Sequence, residues 1–142
     1  MLTLLFLGDV VGEPGRSAVV ARLPELKRDW SLDFIIVNGE NAAAGRGITP
    51  KITIDLLSAG VSVITTGDHI WDRKEIVPFI ETEPRLLRPL NYPSGAPGGG
   101  TIDTASRLKT SSCPPQTRFA AASKPEFAIS RRSGATTRRP VT

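Results

Sequence analysis

The sequence predicts an α/β fold in which helices flank a parallel sheet. Three short apolar segments, Leu2–Leu7, Phe34–Val37 and Val61–Thr66, are each bounded by turn-forming residues, as buried strands are. Segments with helical patterning lie between them, so that strand and helix alternate along the chain. This alternation indicates parallel strands joined by helical crossovers.

Each predicted strand ends in polar side chains. The first strand is followed by Asp9, the second by Glu40 and Asn41, and the third by Asp68 and His69. In open α/β sheets, ligand sites form at the edge where the carboxyl ends of the strands meet. We therefore expect these side chains to lie together at one edge of the sheet.

The first crossover begins with a turn and continues as a helix. Residues 8–16 hold three glycines and a proline, which favours a loop with accessible backbone amides. Apolar residues then recur at helical spacing over Ser17–Leu23. Pro24 is expected to interrupt this helix and to open a second short turn over Pro24–Arg28.

The second crossover combines a loop of small residues with a well-delimited helix. Residues 39–48 are rich in Ala and Gly and form the loop. Thr49 and Pro50 then supply a hydroxyl N-cap and a proline at the first helical position. Gly60 stands where a helix typically ends in a glycine.

The chain after the third strand is predicted to add one more helix and one more strand. The helix spans Arg73–Glu83 and is bent or broken at Pro78. Leu86–Leu90 is a candidate short strand, and a loop over Gly95–Gly100 follows it.

Charge divides the chain into two parts. The whole chain has a net charge of +4. Residues 1–98 carry ten Lys/Arg and twelve Asp/Glu, whereas residues 99–142 carry eight Lys/Arg and only two Asp/Glu, so the excess positive charge lies in the second part. The second part also holds few large aliphatic residues and no sustained helical or strand period. Such a composition cannot offset the entropy of ordering, so we expect residues 99–142 to be a disordered basic tail.

The cysteine content and the lengths of the apolar runs predict a cytoplasmic protein. Cys113 is the only cysteine, which excludes an intrachain disulfide and a metal cage built from cysteines. No apolar run approaches the roughly 20 residues that span a bilayer, and no basic leader precedes the first strand. We therefore expect a cytoplasmic protein that does not enter the membrane.

The polar strand ends carry groups that suit metal-assisted phosphate chemistry. Carboxylate and amide oxygens and an imidazole are ligands for hard or borderline divalent cations. Glu40 can bridge two such ions, as an in-line displacement at phosphorus requires. His69 can protonate a leaving oxygen, and Arg16 can contact a phosphate. Structural roles compete, because an Asp at a strand end is commonly a turn or capping residue and a single His is commonly structural.

Two other functions are compatible with parts of the sequence. In a dinucleotide-binding fold Glu40 would bind a ribose, but that leaves the acid and histidine after the third strand unexplained, and no complete glycine fingerprint is present. Alternatively, the protein is not an enzyme, and Arg131-Arg132 and Arg138-Arg139 of the tail contact nucleic-acid phosphates. The tail lacks the interleaved aromatic residues that would support this role.

Four motifs in succession resemble one family, the YmdB-like branch of the calcineurin-like metallophosphoesterases. The resemblance covers about residues 1–98, and the order of the motifs makes it specific. The motifs are Gly8-Asp9-Val10-Val11-Gly12, Asn38-Gly39-Glu40-Asn41, Thr66-Gly67-Asp68-His69-Ile70-Trp71-Asp72, and Arg88-Pro89 with Asn91-Tyr92-Pro93.

This resemblance implies an α/β-sandwich phosphodiesterase with a two-metal centre, usually of iron or manganese. Its substrates would be phosphodiesters, including cyclic nucleotides. By position in the motifs, Asp9 and Asn41 would bind the first metal and Glu40 would bridge both. Asp68 would bind the second metal, and His69 would be the proton donor. A homo-oligomer is compatible with the resemblance.

The chain departs from the family in two ways. Asp68 stands where the family motif has Asn, which adds a negative charge to the site. The resemblance also implies a second half with three further metal-binding histidines, whereas His69 is the only histidine of this chain. We therefore expect residues 1–98 to be the N-terminal half of a domain, with an incomplete second metal site, impaired catalysis and marginal stability. A frameshifted or truncated coding sequence would produce this pattern.

Overall fold

Four strands form one parallel sheet in the computed structural model, which describes residues 2–103 and the backbone of residues 118–120. The strands are β1 (Leu4–Leu7), β2 (Phe34–Asn38), β3 (Val63–Thr65) and β4 (Leu86–Leu87). They lie side by side in the order in which they occur in the sequence, and every neighbouring pair is parallel. The predicted α/β fold with a parallel sheet is therefore confirmed.

The register of the strands gives the sheet two apolar faces. Phe34 and Ile36 of β2 point to one face, and Ile35 and Val37 point to the other, because successive strand residues alternate. The face that carries Ile35 and Val37 is covered by the helices and contains most of the core. The opposite face has a smaller buried cluster, which consists of Phe34, Ile36, Val63, Leu87 and Ile102.

Helix α1 spans Gly12–Asp29 as one continuous helix, which differs from the predicted start at Ser17 and the predicted break at Pro24. Pro14 is tolerated in the first turn because the first amides of a helix have no partner within it. Pro24 removes the bond to the carbonyl of Val20, and the side chain of Val20 is 42% exposed. Water can therefore reach that turn of the helix, while Leu23 stays buried against the sheet.

Helix α2 spans Pro50–Ser58 and matches the predicted start and end. The side-chain oxygen of Thr49 accepts the backbone N–H of Ile52 at 3.3 Å, so Thr49 is the N-cap. Gly60 follows the helix at φ +108°, a left-handed conformation that glycine adopts without strain.

The segment after β3 holds two short helices where one longer helix was predicted. A 3-10 helix spans Asp68–Asp72, and helix α3 covers only Ile76–Ile80, with Pro78 inside it. The residues on either side of α3 form turns, so the predicted helix over Arg73–Glu83 was too long. None of the helices in residues 2–103 is long and apolar enough to cross a membrane.

Arg88 closes the loop that follows β4. Its side chain is only 7% exposed, and its guanidinium donates to the carbonyls of Pro89 and Gly98 at 3.0 and 3.1 Å. Its backbone N–H donates to the carbonyl of Gly99 at 3.0 Å. Both ends of the loop are therefore held by one residue.

Two pieces of the segment predicted to be a disordered tail belong to the described residues. Strand β5 (Thr101–Asp103) pairs in an antiparallel ladder with strand β6 (Arg118–Ala120). Ile102 of β5 is 8% exposed and joins the smaller apolar cluster, which accounts for the order of this strand. The predicted disorder of residues 104–117 and 121–142, and the arginine pairs proposed to contact nucleic acid, lie outside the described residues.

The cap of α2 generates a stability prediction. Thr49→Ala leaves the N–H of Ile52 without its side-chain acceptor, so we expect the free energy of unfolding to fall by about 1 kcal/mol. Thr49→Ser keeps the hydroxyl and should stay close to the wild type. Urea unfolding followed by circular dichroism measures both, and equal losses for the two variants would contradict a capping role.

Candidate functional site

The carboxyl ends of β1, β2 and β3 meet at one edge of the sheet, as the sequence predicts. Beyond the strand ends, backbone hydrogen bonds continue to join the chain segments. The N–H of Val10 donates to the carbonyl of Asn38 at 3.0 Å, and the N–H of Gly39 donates to the carbonyl of Thr65 at 2.9 Å. These bonds hold the segments that carry the predicted site residues beside one another.

Asp9 and Asn41 are in direct contact at this edge. The amide nitrogen of Asn41 donates to Oδ1 of Asp9 at 2.7 Å, and the carbonyl of Asn41 accepts the N–H of Gly12 at 2.9 Å. Asp9 adopts φ +46°, an uncommon conformation for a residue with a side chain, and such strain is often found at functional positions. The two residues predicted to share one metal ion thus stand together.

Glu40 carries a carboxylate whose Oε2 atom is buried and has no hydrogen-bond partner among the described residues. Burial is the largest influence on this acid and raises its pKa above the ordinary value of 4.5. The charges of Asp68 and Asp9 also raise the pKa of Glu40, while His69 lowers it. Glu40 is therefore a partly buried acid near two other carboxylates, and protonation removes the cost of its charge.

Gly67 creates the space in which this carboxylate lies. A Cβ atom at Gly67 would stand 1.8 Å from Oε2 of Glu40, far inside van der Waals contact. Any side chain at Gly67 would therefore displace the carboxylate. This requirement explains the glycine that precedes Asp68 in the third motif.

His69 lies on the 3-10 helix beside a second carboxylate. Its Nδ1 atom is 3.0 Å from Oδ2 of Asp72, and the two side chains are 30% and 31% exposed. The same Oδ2 atom accepts the Nε–H of Arg46 at 3.0 Å. Sequence patterning singled out His69 and included Asp72 in a motif, but it gave neither Asp72 nor Arg46 a role.

Two arginines fix the loop over residues 39–48. Arg16 of α1 donates to the carbonyl of Ala42. Arg73, which follows the 3-10 helix, donates to the carbonyls of Ala43 and Arg46 at 3.0 and 3.3 Å. Arg16 was predicted to contact a phosphate, but in the structure its guanidinium holds this loop.

The predicted ligands share an edge without forming a compact acidic cluster. Among the residues that the structure describes, no three His, Cys, Asp or Glu side chains are grouped closely enough to hold a metal ion by themselves. Asp68 and Asp9 are exposed, and Glu40 is partly buried. A cation at this edge would have to draw these side chains together.

A separate cavity lies away from the strand ends. It has a volume of about 680 Å³ and lies between α1 and α2, where Glu13, Ser17, Asp55 and Ser58 are among its lining residues. None of the five polar side chains at the strand ends lines it. The cavity and the sheet edge at the carboxyl ends of the strands are therefore different parts of the surface.

Comparisons with known proteins agree with the fold and with the family resemblance. Residues 5–113 match the family model described as YmdB-like protein. The chain is 50% identical over 99 residues to a 2',3'-cyclic-nucleotide 2'-phosphodiesterase of Bacillus subtilis, and the match covers 70% of this chain and 38% of that protein. The chain thus spans less than half the length of this relative.

Two crystal structures resemble the chain. A hypothetical protein from Thermus thermophilus has a TM-score of 0.65 at 44% identity, covering 70% of this chain and 38% of that one. A novel phosphatase from Mycoplasma pneumoniae has a TM-score of 0.66 at 35% identity, covering 71% of this chain and 37% of that one. With the match over residues 5–113, these similarities show that the chain belongs to the YmdB-like protein family.

Proposed function

We propose that this chain supplies the metal-binding edge and the proton donor of a phosphodiesterase. The observation that carries the proposal is the buried Oε2 atom of Glu40, which lacks a hydrogen-bond partner among the described residues. A carboxylate oxygen that is buried without a partner is costly, and a bound cation is a common way to compensate it. The names of the relatives, a cyclic-nucleotide phosphodiesterase and a phosphatase, agree with this chemistry.

The residues at the edge fit a divalent cation. Glu40 offers an unpartnered oxygen, and Asp9, Asn41 and Asp68 add oxygen donors from the neighbouring chain segments. Oxygen donors suit manganese, and iron is the other metal that the family resemblance implies. In the proposed arrangement Asp9 and Asn41 would hold the first ion, Glu40 would contribute to both, and Asp68 would hold the second. When bound, such ions supply Lewis acidity to a phosphoryl oxygen and lower the pKa of water.

The chain's own contribution to the reaction is proton donation. In the proposed mechanism His69 gives a proton to the oxygen that leaves phosphorus, so that the departing group does not carry a full negative charge. The charge of His69 lowers the pKa of Glu40, and this proximity supports the proposal that the ring acts at the same edge. The proposed substrates are phosphodiesters, among them cyclic nucleotides.

These residues are part of a larger ligand set in the proposal. We infer that residues 1–98 form the first half of the catalytic domain, which agrees with the 38% of the Bacillus subtilis protein that the match covers. The nitrogen ligands that the family resemblance implies are not among these residues, because the chain has one histidine. We therefore expect these 142 residues to bind one ion weakly and the second poorly, and to show little hydrolysis of substrate.

The proposed role of His69 generates an activity prediction. In the presence of Mn²⁺, His69→Ala should release p-nitrophenol from bis(p-nitrophenyl) phosphate about 10²-fold more slowly than the wild type, because general acid catalysis is lost. Asp55→Ala, which removes an exposed carboxylate paired with Lys51, is the control and should keep the wild-type rate. Equal turnover by the wild type and His69→Ala would mean that the activity does not come from this site.

The buried acid generates a prediction about pH. Because the pKa of Glu40 is higher in the folded than in the unfolded chain, the unfolded state loses its proton first as the pH rises above about 4.5. Ionisation therefore lowers the free energy of unfolding over that range. Glu40→Gln removes this loss, so the metal-free variant should be more stable than the wild type at pH 7.

Urea unfolding in the presence of a chelator, repeated from pH 4 to pH 7, measures this effect. The stability difference between Glu40→Gln and the wild type should grow as the pH rises. The exposed Glu81 provides the matched control, and Glu81→Gln should give a small difference that does not change with pH. A constant difference for Glu40→Gln would contradict burial of its carboxyl group.

The space over Gly67 generates a prediction about cation binding. Gly67→Ala forces the carboxylate of Glu40 to move, so we expect a loss of about 1–3 kcal/mol in the free energy of unfolding, as overpacking produces. The increase in melting temperature on adding Mn²⁺ should also disappear. At Gly95 no atom lies within 4 Å of an added Cβ, so Gly95→Ala should retain both. An undiminished Mn²⁺ effect in Gly67→Ala would count against Glu40 as a ligand.

A further inference from the structure

Two aromatic side chains meet at the edge of the sheet where the polar strand ends lie. The ring centroids of Trp71 and Tyr92 are 6.1 Å apart, and the rings are tilted by 54° to each other. Both side chains pack against the main core, and both stay partly exposed. The pair therefore presents part of its aromatic surface to solvent.

The two rings come from neighbouring loops at this edge. Trp71 lies in the segment after β3 and Tyr92 in the segment after β4, and these two strands are adjacent and parallel. Ligand sites of open α/β sheets form where such segments leave the carboxyl ends of the strands. The proposed metal ligands follow β1, β2 and β3, so the aromatic pair continues the same edge by one strand.

The 3-10 helix places Trp71 next to Asp68. Residues three positions apart stand nearly above one another in such a helix, and Asp68 and Trp71 have this spacing. Ile70 is fully buried and anchors the helix to the core. The indole is therefore on the same side of the helix as the carboxylate proposed to bind the second ion.

The loop that carries Tyr92 is restrained by hydrogen bonds. The N–H of Tyr92 donates to the carbonyl of Pro89 at 3.3 Å, and the buried guanidinium of Arg88 binds the carbonyls of Pro89 and Gly98. A restrained loop loses little conformational entropy when a ligand binds to it. The aromatic surface is thus largely formed before any ligand arrives.

We propose that the exposed side of the Trp71–Tyr92 pair binds the base of a nucleotide, so that phosphodiesters carrying a nucleobase are the substrate class of this edge. The inference rests on the proposed function and adds a base subsite to it. The pair is displaced from the proposed ions by one to two strand spacings of about 4.8 Å each. The ribose of a nucleotide spans a comparable distance between phosphate and base.

Stacking suits this position because a base is flat and uncharged. Every base has a π face that stacks on aromatic side chains. The neighbouring carboxylate of Asp68 does not repel a neutral base, whereas it would repel an anionic group that arrived without a cation. Such a subsite accepts any base and prefers a nucleotide to a phosphodiester without one. A pair that only completed the core would bind no base.

The two tryptophans of the chain allow a direct test. In ¹H–¹⁵N correlation spectra of the ¹⁵N-labelled full chain each indole N–H gives one signal, and Trp30→Leu assigns them. Trp30 follows α1 and is 58% exposed, so it controls for unspecific stacking on an accessible indole. During titration with adenosine in chelator, the signal of Trp71 should shift progressively and that of Trp30 should stay in place.

Saturation transfer from the protein to the base protons of adenosine extends the test to variants without the indole. Trp71→Leu should weaken adenosine binding about tenfold, because a stacking partner is lost. Trp71→Phe keeps an aromatic ring and should retain most of the binding, and Trp30→Leu should retain all of it. Ribose, which lacks the base, should receive no saturation. Backbone amide spectra report whether each variant is folded.

A Trp71 signal that does not move up to the solubility limit of adenosine overturns the proposal in the wild type alone, as does an equal shift of Trp30. A folded Trp71→Leu with unchanged adenosine binding overturns it as well. The titration needs neither a metal nor hydrolysis. Its failure is therefore distinct from failure of the proposed function, which is tested with bis(p-nitrophenyl) phosphate, a substrate without a nucleobase.

Discussion

The proposed site depends on a carboxyl group that the fold partly buries after the end of β2. Burial makes the charge of Glu40 costly, and the acids from the two neighbouring segments, Asp9 and Asp68, add to that cost. The absence of a side chain at Gly67 is what allows the carboxylate to occupy this position. In the proposed function, the same geometry that destabilises the ionised acid in the metal-free protein would favour a bound cation, so that folding stability and cation binding would be opposed at Glu40.

The apolar core of the sheet fixes the position of Glu40. β2 lies between β1 and β3, and its side chains are buried on both faces, so its register fixes where Glu40 emerges. A slip of one residue would exchange the two faces and move the acid away from its neighbours. Backbone hydrogen bonds beyond the strand ends hold the loops in the same alignment. The apolar core thus determines the positions of the polar groups.

Patterning along the chain was sufficient for the parallel sheet and for the common edge of its polar strand ends, because both follow from alternation of strand and helix. It did not predict that α1 continues through Pro24, because the exposure of the preceding turn depends on how the helix packs against the sheet. The link between Arg46 and Asp72 joins residues 26 positions apart through the fold of a loop, which leaves no periodic signal. Gly67 likewise appeared as a turn residue, and only the position of Glu40 explains it.

The buried guanidinium of Arg88 has a consequence for how the chain leaves the sheet. Since it binds carbonyls at both ends of the loop after β4, the conformational freedom of that loop is removed by one side chain. The path toward β5 therefore starts from a fixed point. The tether directs the chain back to the sheet, where Ile102 covers part of the smaller apolar face.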